Sequence, residues 1–583
     1  MQNQGRRRIL PLSLAALLSV GCVASQERIP RAPSVAGVVD SPSERHAVEP
    51  VTFLQPLLST EPGGAGGDGV RDLDALRRWL GDARVVGLGE SLHGVHDFHR
   101  FGHRLFEGLA DRGAFDVYAL EIDQTHAAML DQYVQGQRSD LDAILASRWW
   151  SAIFYDEALL DLLHWMRAHN QTATRPVHIA GFDMKQPDLA TAAIVERLRA
   201  IDARAAEALV PLYGEVLALG GFGIFPNVSG MTASVSWPRP TGEPPEAVRV
   251  AVSLRGRGVT FGQVGLTVQG TNADGVEAER ATKVLSPMEI EDGWTSVEID
   301  YPLATTAKQL RISVFHRGNG TVWFHGLEVR PAGARDATAV SLASAAVAPL
   351  LFPTLQVQDY RATQVQDPSL DGAPALQVEC DPGVDRAMSA LGEAEELLRE
   401  SLERHAGEVS SEVSKWLHQL ALAVRQAVEW RVLAEPNRDR FLARNVAWLQ
   451  RSGYPGSRVL VLAHTVHTER ISERMGGFLA IELGDRYRTV SLLALAGHYR
   501  YFGDPRTSGP GTPLELYAIE DRDRLPLASQ LATQLETDLL FDVAGAAKGL
   551  DGGQSLGSAV QAVGDRMDVA VLLRQVTPLR PLP

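Results

Sequence analysis

Glu90 and His93, Glu121, Asp183, and the pair His464 and His467 each follow a short apolar run. The runs are Val85–Gly89, Val117–Leu120, Val177–Phe182 and Val459–Ala463. Carboxylates and imidazoles are the side chains of acid–base catalysis and of divalent-metal binding. Glu90 and His93 stand three apart in Gly89-Glu90-Ser91-Leu92-His93-Gly94, where a tight turn lets them touch. A carboxylate bonded to one imidazole nitrogen fixes the tautomer and makes the other nitrogen more basic, which suits His93 to activate water. The alternative is a buried structural Glu–His pair. His464 and His467 have the same spacing and suit an oxyanion donor and general acid, or a metal pair. Glu121 reads as a second acid–base or water-positioning group, or as a cap or ion-pair partner. Asp183 reads as the orienter of a histidine or as a helix cap.

Strands must position these residues. Short apolar runs bounded by turn residues are the pattern of buried strands. In open α/β sheets, ligands bind beyond the carboxyl ends of the strands. A sheet built from the four runs therefore gathers all of these side chains at one rim. Helical patterns at Leu73–Leu80, His96–Ala110, Asp123–Val134 and Ala158–His169 alternate with the runs. This predicts an α/β fold, a sheet flanked by helices with a large helical part. In His96–Ala110 one face carries Phe98, Phe101, Leu105, Phe106 and Leu109. His96, His99 and His103 fall opposite and read as a solvated polar face rather than a metal site.

The pattern changes near residue 221. Val248, Val250 and Val252 alternate with polar residues, as do Leu310, Ile312 and Val314. Short alternating strands with regular turns predict an all-β sandwich inserted in the α/β domain. Amphipathic helices resume with Glu393–His405, Val413–Leu433 and Arg438–Leu449. The expected organisation is a signal peptide over 1–22, a flexible tether over 23–50, and α/β parts over 51–220 and 385–583. The sandwich and an irregular linker occupy 221–384.

The chain has 583 residues, 45% of them hydrophobic, enough for more than one core. Its formal net charge of −15 disfavours nucleic acid and anionic membrane as partners. Arg6-Arg7-Arg8 followed by the apolar Ile9–Val20 reads as an export signal. It ends at Leu18-Ser19-Val20-Gly21-Cys22, which resembles a bacterial lipobox. The expectation is an exported periplasmic or outer-membrane lipoprotein held to the membrane through Cys22. Cys380 is the one other cysteine, so no disulfide forms within the chain once Cys22 is lipidated. The sequence has no serine-nucleophile elbow, no phosphate-binding glycine loop with a lysine and no His-Glu-x-x-His pair.

As an ordered set, the motifs resemble the erythromycin esterase family. They are Gly89-Glu90-Ser91-Leu92-His93-Gly94, Ala119-Leu120-Glu121, Leu163–Asn170, Gly181-Phe182-Asp183-Met184-Lys185, Arg438-Asp439-Arg440 through Trp448, and Ala463-His464-Thr465-Val466-His467. The resemblance implies hydrolysis of a small-molecule ester, a macrolide lactone in the best-known members, by water activated directly. His93 would be the general base supported by Glu90, and Glu121 would orient water or base. His464 and His467 would stabilise the oxyanion and protonate the leaving alkoxide. Asp183 and Arg100 would bind substrate or support the site. The family is described as metal-independent, so no cofactor is expected. Gly102 stands where the family commonly has a basic side chain, which implies a missing substrate contact. Segment 221–384 resembles a galactose-binding-like jelly roll, with Trp294 and Trp323 as sugar-stacking candidates or as core residues. Two other readings stand beside this one: a metal-dependent hydrolase using the same Glu/His cluster, and a non-enzymatic surface lipoprotein binding a glycan or partner.

Overall fold

The computed structural model describes residues 54–580, apart from 58, 63–72, 111–112, 114, 148–152, 221, 223–229, 239–244, 260–261, 272–276, 291–292, 304–307, 319, 332–337, 341–345, 350–359, 371, 381, 434–436, 503–512, 521–536 and 544–565. Cys22, the expected signal peptide and the expected tether lie outside the described residues. The chain divides into two compact units. Among the described residues, the first holds everything up to Met184 and from Arg438 onward, and the second holds Lys185–Asn437.

The strands of the first unit are β1 (Leu54–Pro56), β2 (Val85–Glu90), β3 (Val117–Asp123), β4 (His178–Asp183), β5 (Val459–His464), β6 (Tyr487–Ala494), β7 (His498–Tyr501), β8 (Glu515–Ala518), β9 (Leu539–Asp542) and β10 (Val569–Leu573). An eight-stranded sheet runs in the order β1-β9-β10-β6-β2-β5-β3-β4, and β7 pairs with β8 in a separate hairpin. From β10 to β4 every pairing is parallel, while β9 and β1 add antiparallel edge strands. The four apolar runs thus form the adjacent strands β2, β5, β3 and β4. Every residue of β2 and β3 is buried, as expected of parallel strands covered on both faces. Register places His464 beside Glu90, Leu462 beside both Leu88 and Leu120, and Leu120 beside Gly181. The carboxyl ends of the four strands therefore lie level.

The helices of this unit are α1 (Asp74–Leu80), α2 (His96–Ala110), α3 (Gln124–Val134), α4 (Leu141–Ala146), α5 (Glu157–Asn170), α6 (Asn437–Trp448), α7 (Thr465–Thr468) and α8 (Met475–Leu483). Phe98, Phe101, Leu105 and Phe106 of α2 are fully buried. The polar face of α2 is not solvated: His96, His99 and His103 are only 3%, 5% and 3% exposed. Helix α5 packs over that face, and its Trp165 ring lies 6.0 Å from the His103 ring. Buried polar groups need partners inside the protein; His96 and His99 both meet Asp156, whereas burial lowers the proton affinity of His103.

The turn after β2 is pinned from two sides. The Gly94 carbonyl accepts from the backbone N–H of Arg500 at 3.0 Å and of Leu579 at 2.8 Å. Gly94 has φ +75°, and a Cβ there would run into the Arg500 carbonyl oxygen. Only glycine meets both demands.

In the second unit, two antiparallel sheets of five and six strands lie over 230–380. Helices Asp188–Arg199, Ala203–Ala218, Pro382–Arg404 and Ser411–Leu433 share one hydrophobic core with them, joining Leu209, Tyr213, Leu391 and Val424 to Val250, Leu266 and Ile312. The strands fall within the expected 221–384, and because four flanking helices pack on them the compact unit extends beyond that segment on both sides. Trp323 is buried, with the Arg255 guanidinium 4.6 Å and that of Arg257 5.5 Å from its ring centre. Arg255 also lies 5.3 Å from the half-buried Trp294. Among the described residues, no helix is long and apolar enough to cross a membrane.

Gly94→Ala is expected to combine strain at positive φ, about 1–2 kcal/mol, with a backbone clash. The measurement is a thermal melt of the purified variant. An unchanged midpoint would show that the turn has room to move.

Candidate active site

The first unit brings Glu90, His93, Glu121, Asp183, His464 and His467 together at the carboxyl rim of the sheet. Glu90 ends β2 and is fully buried. Its Oε1 accepts from His93 Nδ1 at 2.6 Å. With Nδ1–H committed to Glu90, the lone pair of His93 rests on Nε2. Burial would raise the Glu90 carboxyl, but His93 and His99 outweigh it and hold the carboxyl at about 2. The His93 side chain is 16% exposed and is boxed by aromatic rings. Tyr501 stacks on it at 6.0 Å with an 8° interplanar angle, Phe154 meets it edge-on at 5.5 Å, and the His464 ring is 5.0 Å away.

His464 ends β5 and caps the helical turn that follows. Its Nδ1 accepts from the Val466 backbone N–H at 3.2 Å. A nitrogen that accepts carries no proton, so the neutral ring must bear its hydrogen on Nε2. Burial, together with the neighbouring His93 and His467 rings, pushes the imidazole down to about 3. His464 is therefore a neutral N–H donor beside His93.

His467 lies one turn on and is differently placed. Its Nδ1–H donates to Asp439 Oδ1 at 2.6 Å. Its Nε2 lies 3.1 Å from Arg438 Nη1 and 3.7 Å from Glu121 Oε1. The guanidinium donates to the neutral ring, and Glu121 is the acceptor for a protonated one, so both nitrogens are engaged in either state. Burial lowers the proton affinity of His467, but Asp439 and Glu121 outweigh it and raise it.

Arg438, buried at the start of α6, joins the rest. Its Nη2 donates to Glu121 Oε1 at 2.6 Å and to Asp183 Oδ2 at 2.9 Å. Glu121 Oε2 accepts from the His464 backbone N–H at 3.3 Å, and Asp183 Oδ1 accepts from the Met184 backbone N–H at 2.9 Å. Asp439 also accepts from the Met475 backbone N–H at 3.0 Å and pairs with Arg474 at 3.1 Å. Its burial is outweighed by His467, Arg438 and Arg474, which hold it at about 2. Among the described residues, no group of three or more His, Cys, Asp and Glu is arranged to hold a metal ion. A guanidinium stands among these carboxylates.

Arg100 is not brought to this cluster: its guanidinium bonds Glu61 and donates to Asp161 of α5 at 2.6 Å. Gly102 faces inward, where a Cβ would lie 2.5 Å from the Tyr118 hydroxyl. A longer side chain there would have to displace the Tyr118 hydroxyl and press on Leu88. Arg438, Asp439, Asp156, His99 and Tyr501 receive no role from the sequence. The Arg438-Asp439 motif was the available signal for two of them.

The fold and this rim define an α/β protein with an imidazole–carboxylate site. The erythromycin esterase family matches residues 111–226 and 314–551, and the chain belongs to that family. Glu121, Asp183, Arg438, His464 and His467 fall inside the matched residues, while Glu90 and His93 precede them. Erythromycin esterase type II from Escherichia coli is 29% identical over 117 residues, which cover 20% of this chain. The chain thus matches 27% of the length of that relative. A crystal structure of a Bacillus cereus protein superposes with a TM-score of 0.52 at 14% identity, covering 91% of this chain and 97% of the other. A mutant erythromycin esterase in an open conformation superposes with a TM-score of 0.45 at 12% identity, covering 87% and 94%.

Replacing Arg438 with Met leaves Glu121 and Asp183 buried without their cation. Breaking a buried pair from one side costs about 3–5 kcal/mol, to be read by denaturant unfolding. An unchanged midpoint would remove Arg438 from the centre of the network. Acid should weaken the fold in a defined window. The folded-state values of Glu90 and Asp439, both about 2, lie below their ordinary 4.5 and 3.8. Their contribution is therefore complete above about pH 4.5 and lost as pH falls through about 2. Urea midpoints between pH 6 and pH 2 should fall across that window, and less steeply in Glu90→Gln.

Proposed function

We propose that this protein hydrolyses a carboxylic ester or lactone by direct attack of water, with His93 as general base. The observation that carries this reading is the pairing of two adjacent imidazoles whose Nδ1 partners set opposite tautomers. His93 has its Nδ1–H on Glu90 and a free Nε2 lone pair, and His464 beside it has Nε2–H to give. As the water oxygen bonds to the carbonyl carbon, its proton passes to His93 Nε2. The resulting oxyanion accepts from His464 Nε2–H. Collapse breaks the ester C–O bond, and the proton on His93 goes to the departing alkoxide. Glu90 stabilises the intermediate imidazolium of His93.

In this reading His467 is not the acid, because neither ring nitrogen is free; it holds Arg438 and Glu121 in place. Glu121 in turn holds the backbone at His464. Belonging to the erythromycin esterase family supports an esterase, and macrolactones are the substrate to test first. Export and lipid attachment at Cys22 are part of the same proposal. A glycan site at Trp294 and Trp323 has less support, because guanidinium groups already lie over these rings.

The test is hydrolysis of a macrolide and a panel of simple esters. His93→Ala should lower kcat by about 10²–10⁴-fold, the usual contribution of general acid–base catalysis. His464→Ala should lower it by about 10²–10³-fold, as for loss of an oxyanion donor. Full activity in a folded His93→Ala protein would sink the mechanism. Activity that disappears on metal stripping and returns with zinc or manganese would favour the metal-dependent reading.

A further inference from the structure

Behind Glu90 lies a second layer of buried charge that the reaction above does not use. His99, on the polar face of α2, sits between two carboxylates. Its Nε2 is 3.5 Å from Glu90 Oε2, and its Nδ1 is 3.3 Å from Asp156 Oδ1. The other oxygen of Asp156 accepts from His96 Nδ1 at 2.9 Å, and Oδ1 also caps α5 through the Leu159 backbone N–H at 3.0 Å. Glu90 and Asp156 are fully buried, and His99 is 5% exposed. The sequence of groups is therefore His93, Glu90, His99, Asp156, His96, alternating imidazole and carboxylate. Phe154 covers it, stacked on the His99 ring at 6.3 Å and edge-on to His93.

The charge of His99 follows from this placement. A neutral imidazole has one N–H and one lone pair, and here the lone pair would point at a carboxylate whichever tautomer formed. Only the doubly protonated ring meets both oxygens favourably. At 3.3–3.5 Å these are ion pairs rather than aligned hydrogen bonds, so their strength lies in charge at low polarity. Without a cation between them, Glu90 and Asp156 would be two buried carboxylates in one site, and one would take up a proton.

We propose that His99 is a positioning residue of this site: a buried imidazolium that joins Glu90 to Asp156 and keeps Glu90 ionised and aimed at His93. The inference rests on the reading of His93 as the base. Burial alone would lower the proton affinity of His99, but Asp156 and Glu90 outweigh it and raise the imidazole to about 10. Other titratable groups face Glu90. Tyr118 from β3 is held protonated by burial and the two carboxylates. Tyr501 from β7 is likewise raised by burial and Glu121. His464 from β5 is held neutral. Among these groups, His99 supplies the standing positive charge next to Glu90.

The test combines nitrogen NMR of histidine-labelled protein with pH–rate profiles, using His99→Gln to remove the charge and His99→Lys to keep one. In the wild-type protein His99 should show an imidazolium signal at pH 8; a neutral ring there overturns the proposal without any variant. Removing a cation raises the proton affinity of its neighbours. In His99→Gln the NMR protonation midpoint of the His93–Glu90 pair should move up by about one pH unit or more. The acid limb of kcat/KM should move with it, and His99→Lys should shift both back toward wild type. A role limited to packing would lower activity at all pH values without moving the limb. A folded His99→Gln protein with wild-type midpoint and limb also overturns the proposal. If the wild-type protein turns over no ester, the His93 reading fails on its own, and the NMR midpoint alone decides the role of His99.

Discussion

Negative charge buried at one end of a parallel sheet is the constraint on which this site depends. Glu90, Glu121, Asp156, Asp183 and Asp439 are each 4% exposed or less. An uncompensated carboxylate in such a place would protonate or unfold the region. Each instead meets cationic or N–H groups: His93 and His99 at Glu90, Arg438 at Glu121 and Asp183, His467 and Arg474 at Asp439, and His96 and His99 at Asp156. Arg438, His96, His99 and His467 come from helices, and Glu90, Glu121 and Asp183 from strand ends. Sheet and helices are thereby locked together at the point where the reacting groups must be held still.

The same constraint divides His464 from His467. They are three residues apart on one turn, yet their environments push their proton affinities in opposite directions. His464 meets the His93 and His467 rings and a backbone N–H, and stays neutral with a hydrogen to give. His467 meets Asp439 and Glu121, and both its nitrogens are occupied by the scaffold. Spacing alone cannot tell such a pair apart. What distinguishes them is which backbone and side-chain atoms arrive from elsewhere in the chain.

That is also the limit of what the sequence could disclose. The four site-bearing strands were legible because each is an apolar run ending in carboxylates or histidines, and parallel strands covered on both faces require such runs. Strand β6 escaped because Arg488, Thr489 and Ser491 interrupt it; Thr489 is nevertheless fully buried, its hydroxyl and backbone amide paired with Asp568. Arg438 lies 317 positions from Glu121 and 255 from Asp183, so no local pattern links them. For α2, helical periodicity identified a face bearing His96, His99 and His103 but not what covers it. The decisive partner, Asp156, is 60 positions from His96, so no local pattern links them.

The depth order of the groups argues for a rigid site. The ring of His93 reaches solvent, whereas Glu90 beneath it does not. His99 and Asp156 back Glu90 from inside the protein, their side chains 4% and 0% exposed, and Gly94 fastens the backbone of the same turn to Arg500 and Leu579. A base held this way has its tautomer, its orientation and its electrostatic surroundings set before any substrate arrives. Little reorganisation is then left for the moment when charge develops on the substrate, which is where preorganised dipoles contribute most. In the proposed reaction, a water molecule activated at His93 would need no covalent intermediate to hold the reacting atoms in line, since the same scaffold would set where the proton goes and where the oxyanion forms.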